Sequence, residues 1–368
     1  MDRQLIDYYL QELDHLREMG AEFAEAYPKI AQRLMLDSVP CPDPYVERLL
    51  EGFSFLAARV RHKLDAEFPR FTQAMLNTIY PHYLMPTPSM TMVQFQPDLS
   101  EAALAQGWSI PRGSMLRTIP GKGERTPCQF TTAHDVTLWP LEVTQAAYHA
   151  RDVVQLQENA VNAQAARGFE PRSMVQLHVA VKAGLTADAL SLDRLAIHLC
   201  DTGSEVPMQL YEKLLSQCCG VVVEWQLNKR RHQAFLSPSC VSPLGFEREE
   251  ALLPYDSRVF EGYRLLREYF AFPQRFMFVQ LNGLAEALAT CKAREFNIMF
   301  ALRTVDPALE RDVSQRNVAL HCTPAVNLFA KRADRIHLSS QFTEFHVVPD
   351  RTRPIDFEVL QVTGLTGF

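Results

Sequence analysis

The first eighty residues carry apolar side chains at alternating steps of three and four. One seam runs Ile6, Tyr9, Leu13, Leu16, Gly20, Phe23, Tyr27, Ile30 and Leu34. A second runs Val46, Leu49, Phe53, Leu56, Val60, Leu64, Phe68, Phe71, Met75 and Ile79. A spacing near 3.5 confines each set to one narrow stripe of a helix, and the expectation is burial of both stripes against other helices. The opening of the chain is therefore read as part of a bundle.

Prolines punctuate these helices. Residues 2–27 read as one helix, and Pro28 either starts the next or kinks this one. Asp37 to Pro42 is a loop, after which Asp43 caps a new helix with Pro44 in its first position. Pro69 breaks or kinks that helix, and Pro81, Pro86 and Pro88 end helical structure.

From Thr91 the period switches to two. Strands are expected at Gln129–Thr131, Val136–Ala147, Val175–Val181, Leu195–Leu199 and Val221–Gln226, with Gly121-Lys122-Gly123 as a hairpin tip. Val175, Leu177, Val179 and Val181 alternate with Gln176, His178 and Ala180, the mark of a strand with one wet face. A short helix is expected from Met208 to Cys219, closed by Gly220 in the left-handed conformation. Further on, Ser257 to Ala271 reads as a helix with Phe260, Tyr263, Leu266, Tyr269 and Phe270 inward. Strands follow at Arg275–Leu281, Glu295–Arg303, Phe342–Val348 and Phe357–Val362, and Asp306-Pro307 and Thr323-Pro324 read as helix starts. The fold class is α+β: a helical segment (1–88), a strand-rich, largely antiparallel domain (89–250) and a mixed α/β region (251–368).

Composition narrows the function. A net charge of −6 gives no global reason to bind nucleic acid or an anionic membrane, and Lys229-Arg230-Arg231-His232 is the only compact basic run, best read as a solvated turn. There is no signal-peptide pattern and no apolar run of membrane-spanning length, so direct membrane insertion is not expected. The eight cysteines make no C-x-x-C pair, which fits a reducing cytoplasm.

Candidate chemistry is sparse. No phosphate loop and no nucleophile elbow occurs. Glu247, Glu249 and Glu250 look like solvated charge. His198, Cys200, His321 and Cys322 are the one group from which a metal- or thiol-dependent enzyme would be built, and packed core is the favoured reading for them. No catalytic residue, cofactor or metal is expected.

Long blocks of the chain carry a family resemblance. They include MGAEFAEAYPKIAQRLML (19–36), CPDPYVERLLEGFSFLAARVRHKLDAEFPRFTQAML (41–76) and YPHYLMPTPSM (80–90). LLPYDSRVFEGYRLLREYFAFPQRFMF (from 252), HCTPAVNLF (321–329) and VVPDRTRPIDFEVLQV (from 347) continue the series. In order and length these blocks resemble the TssF family, baseplate subunits of bacterial type VI secretion systems. The resemblance implies a structural, non-enzymatic wedge subunit, cytoplasmic and docked at the inner-membrane secretion complex. A second TssF copy and TssG are the implied wedge partners, with TssK, TssE and the central hub as neighbours in the baseplate. Family members usually continue past this point, so the chain is expected to be part of a longer protein. In this light the apolar arc of the first helix, Leu5, Tyr8, Tyr9, Leu13, Leu16 and Phe23, is the expected partner-binding surface.

Overall fold

The computed structural model describes residues 3–36, 41–121, 126–151, 169–200, 203, 205–254 and 259–367. The described chain divides into two compact units, Met1–Met85 and Pro86–Phe368.

The first unit is helical. α1 (Arg3–Ala26) is followed by α2 (Pro28–Leu34), with Pro28 in the first helical position and Met35 closing α2 in the left-handed region. α3 (Pro44–Ile79) starts as expected, the Asp43 carboxylate accepting from the Tyr45 N–H at 2.9 Å. It contains Pro69 and runs on without a break for 36 residues, about 54 Å at 1.5 Å per residue. α4 (Pro81–Leu84) adds one turn. The loop expected at Asp37 to Pro42 lies mostly outside the described residues.

The second unit is built from antiparallel sheets. One orders β1 (Met90–Gln94), β15 (Cys322–Val326), β4 (Gln129–Thr132) and β3 (Met115–Arg117). A five-stranded sheet orders β10 (Arg230–Leu236), β9 (Cys218–Leu227), β13 (Glu295–Leu302), β7 (Ser173–Val181) and β6 (Leu141–His149). A third orders β11 (Val241–Leu244), β12 (Phe278–Asn282), β8 (Arg194–Leu199) and β14 (Val318–Ala319), and β2 (Trp108–Ile110) pairs β5 (Val136–Leu138). The period-2 pattern is realised: Val175, Leu177 and Val179 of β7 join Phe296 and Ile298 of β13 and Val279 of β12 in one continuous core. Strands from 89–250 and from 251–368 interleave in all three larger sheets, so these two stretches share one unit.

Several local expectations are corrected. Gly220 is not a helix cap. α5 (Val206–Glu212) passes through a π turn at Lys213–Gln217 into β9, where Gly220 leaves room for the Phe235 ring; a Cβ there would lie 2.5 Å from Phe235 Cε2. Thr323-Pro324 lies inside β15 rather than opening a helix. Its Thr323 hydroxyl accepts from the His134 N–H (3.1 Å) and the Pro324 carbonyl from the Ala133 N–H (2.9 Å), so both groups serve the sheet. The stretch 136–147 is two strands, split at Trp139-Pro140, and a 3₁₀ turn (Pro273–Phe276) precedes β12. Phe342–Val348 and Phe357–Val362 are not strands: they form no ladder with any described strand, and Phe342 and Val362 are exposed. A strand needs a neighbour for its backbone groups, which apolar alternation alone does not supply. The proposed hairpin tip at 121–123 falls mostly outside the described residues.

Candidate assembly surface

α1 and α3 form an antiparallel hairpin, and the face of α3 that meets α1 is not its apolar seam. The buried α3 residues are Ser54 and Ala58, small enough to let the helices approach, and Leu13 is the buried residue of α1. Around this contact the helices are joined by polar groups. Arg17 pairs with Glu47, Arg61 Nη1 with Glu12 Oε1 at 2.9 Å, and the Tyr8 hydroxyl donates to Asp65 Oδ2 at 2.7 Å. The Arg17 hydrogen bond holds the Glu47 carboxyl below the usual carboxylate range. Tyr9 meets the Phe55 ring edge-on at 6.5 Å.

At 100° per residue, Ser54 and Ala58 lie roughly opposite the stripe begun by Leu49, Phe53, Leu56 and Val60. That stripe faces outward. Phe53 is 61% exposed and Phe68 68%, and Leu49, Leu56, Val60, Leu64, Phe71, Met75 and Ile79 are all exposed. Among the described residues the expected burial of the second seam therefore does not occur, because α1 occupies the opposite face. Of the α1 residues singled out from the sequence, Leu13 is buried, Leu5, Tyr8, Tyr9 and Leu16 are half-buried, and Phe23 is exposed beside Tyr27 at 5.2 Å between ring centroids.

The second unit contains a helix that likewise exposes its apolar side chains. α6 (Glu261–Ala271) carries Phe260 just before its start, and Phe260, Tyr263, Leu266, Tyr269 and Phe270 are exposed, Phe270 to 80%. The inward expectation is corrected: Arg264 and Glu268 are the buried residues. Glu268 Oε1 accepts from the Leu252 and Leu253 N–H groups, both at 3.0 Å, and Oε2 pairs with Arg264 Nη1 at 3.1 Å and with Arg275. Arg275 also donates to the carbonyls of Gly245 (2.7 Å) and Glu250 (2.8 Å). A fully buried carboxylate needs such partners, and here two guanidiniums and two amides supply them. The Glu250 carboxylate is likewise structural, accepting from the Gly245 N–H at 2.6 Å.

His198, Cys200, His321 and Cys322 do not form a metal centre. His198 Nδ1 lies 3.5 Å from Cys200 Sγ, while His321 Nε2 accepts from the Trp139 N–H at 3.1 Å and the Cys322 thiol donates to the Leu320 carbonyl. Burial pushes the Cys322 thiol up to about 12, away from a reactive thiolate. Among the described residues no group of three potential ligands converges. Lys229, Arg230, Arg231 and His232 lie exposed at the β9–β10 hairpin, where Asn228 and Lys229 take positive φ values of 50° and 64°. That is the turn the sequence suggested. Among the described residues no helix is long and apolar enough to cross a membrane.

The chain is similar to known proteins along its whole length. The family model "Type VI secretion system, TssF" matches residues 1–368. Type VI secretion system component TssF1 of Pseudomonas aeruginosa is 48% identical over 369 residues, covering 100% of this chain and 58% of the relative. A chain of the cryo-electron microscopy structure of the type VI secretion system TssK-TssF-TssG baseplate subcomplex superposes with a TM-score of 0.65 at 28% identity, covering 84% of this chain and 54% of that one. The chain thus spans somewhat more than half the length of the relatives it matches. Taken with the helical opening and the antiparallel sheets, these matches show that the chain belongs to the TssF family of the type VI secretion system.

Proposed function

We propose that this chain is a structural, non-enzymatic part of a type VI secretion baseplate and that it joins its partners through the outer face of α3. The observation that carries the proposal is the exposed stripe from Leu49 to Ile79, set opposite the α1 contact. Each such side chain contributes roughly 1.5–3 kcal/mol when fully buried, so half a dozen outweigh much of the entropy lost on association. Phe23 offers a separate exposed contact on α1, with Leu5 and Leu16 half-buried on the same helix, while Tyr8, Tyr9 and Leu13 lie in or beside the α1–α3 contact. TssG and TssK are the proposed partners, since the matched structure is a TssK-TssF-TssG subcomplex. A second TssF copy, TssE and the central hub follow from the family resemblance, as does a cytoplasmic location docked at the inner-membrane complex. No nucleic acid and no cofactor enters this role.

Phe53→Glu combined with Val60→Glu tests it. Co-purification with TssG is expected to fail while circular dichroism of the variant stays that of the parent. Retained co-purification would overturn the assignment of this face.

A further inference from the structure

We propose that the junction where the chain passes from β14 to β15 is an acid-operated latch, opened by proton uptake on His134, His198 and His321 while the central sheet stays closed. At this junction the backbone leaves one sheet and enters another: Ala319 is paired with His198 of β8, and Cys322 with Gln94 of β1. The link turns at His321, whose φ is +59°. His321 ties three segments together, its carbonyl accepting from the Phe95 N–H (3.0 Å) and its Nε2 from the Trp139 N–H (3.1 Å). A backbone N–H can only donate, so Nε2 must be unprotonated. A proton there sets donor against donor and breaks the bond.

The other two imidazoles flank Phe278. His198 lies opposite it in the ladder with ring centroids 4.6 Å apart, and His134 meets it edge-on at 5.3 Å. The His134 backbone N–H donates to Thr323 of β15, and neither of its ring nitrogens has a hydrogen-bond partner. The charges facing His134 are the guanidiniums of Arg275 and Arg112, together with His198, while His198 faces Cys200 and the Gln274 backbone. The nearby carboxylates are engaged elsewhere: Asp135 by the Arg112 N–H, Glu250 by Gly245, and Glu268 by Arg264 and Arg275.

Burial, with the guanidiniums adding to it at His134, pulls His134 down to about 3 and His198 and His321 to about 4. In the opened junction each returns toward its ordinary 6.5. The closed form is fully favoured above that value and loses ground as pH falls toward 4. Between pH 7 and pH 5 each histidine shifts the equilibrium toward opening by about 20-fold.

Hydrogen exchange of the full chain at pH 7, 6 and 5, corrected for intrinsic rates, tests the latch. The amides of Phe95, His134 and Trp139 are expected to lose at least about 20-fold in protection, ahead of Leu177 and Ile298 in the central sheet. His321→Asn tolerates the left-handed backbone and keeps a carbonyl acceptor, and His134→Gln removes the second titration. Each should flatten the pH dependence at the junction. Simultaneous loss at junction and central sheet, no loss by pH 5, or an unchanged pH slope in both variants would overturn the proposal.

Discussion

The two units bury apolar surface by different means. In the sheets, alternation and burial coincide: Val175, Leu177 and Val179 point into a core that other strands of the same chain complete. In the helical unit they part company. α3 meets α1 through Ser54 and Ala58 and a set of ion pairs, and turns its apolar stripe to the outside. An apolar stripe establishes that a face is to be covered; it does not establish that the same chain covers it. α6 repeats the lesson within the sheet-rich unit, with Arg264 and Glu268 inside and Tyr263, Leu266 and Phe270 outside.

Three substitutions sharpen or break this contrast. The largest effect is expected from Glu268→Ala, which strands Arg264 and Arg275 in the interior. Urea unfolding of the sheet-rich unit should show a loss of about 3–5 kcal/mol. A loss near zero would mean that α6 is not held by its ions. Next, Leu13→Ala removes the one buried apolar side chain of α1. It should weaken the helical unit by about 2 kcal/mol, toward the low end for such truncations because the site is a two-helix contact open at its edges. The smallest effect is expected from Val60→Ser on the outer stripe, within about 0.5 kcal/mol in the isolated chain. If Val60→Ser costs as much as Leu13→Ala, the stripe is core after all and the contrast between the units disappears.

Much of the fold was legible. Asp43 with Pro44, the strands around Val175 and Val221, and the turn at Lys229 are local signals whose outcome local chemistry decides. What escaped depends on neighbours distant in sequence. Gly220 reads as a cap until Phe235 is seen against it, and Thr323-Pro324 reads as a helix start until His134 and Ala133 claim its acceptors. The proposed assembly surface was half legible: periodicity located the α3 stripe, while the contacts expected from the sequence lie on α1, and nothing in a single helix reveals which of its faces a neighbour takes. The buried Arg264–Glu268–Arg275 cluster went unnoticed beneath the aromatics of its own helix. The spacing of Arg264 and Glu268, one turn apart, was the only signal for it.

The pairing of β1 with β15 has a consequence for how the protein is made. β1 leaves the ribosome early, yet its partner lies more than two hundred residues downstream. At about 5–20 residues per second, translation takes roughly 10–45 s to deliver that partner. For that interval the β1 segment has no partner for its backbone groups, while the apolar stripe of α3, earlier in the sequence, is uncovered too. Completion of β15 at residue 326 ends the wait of β1, whereas the α3 stripe stays uncovered in the folded chain, so the two surfaces set separate intervals of aggregation risk.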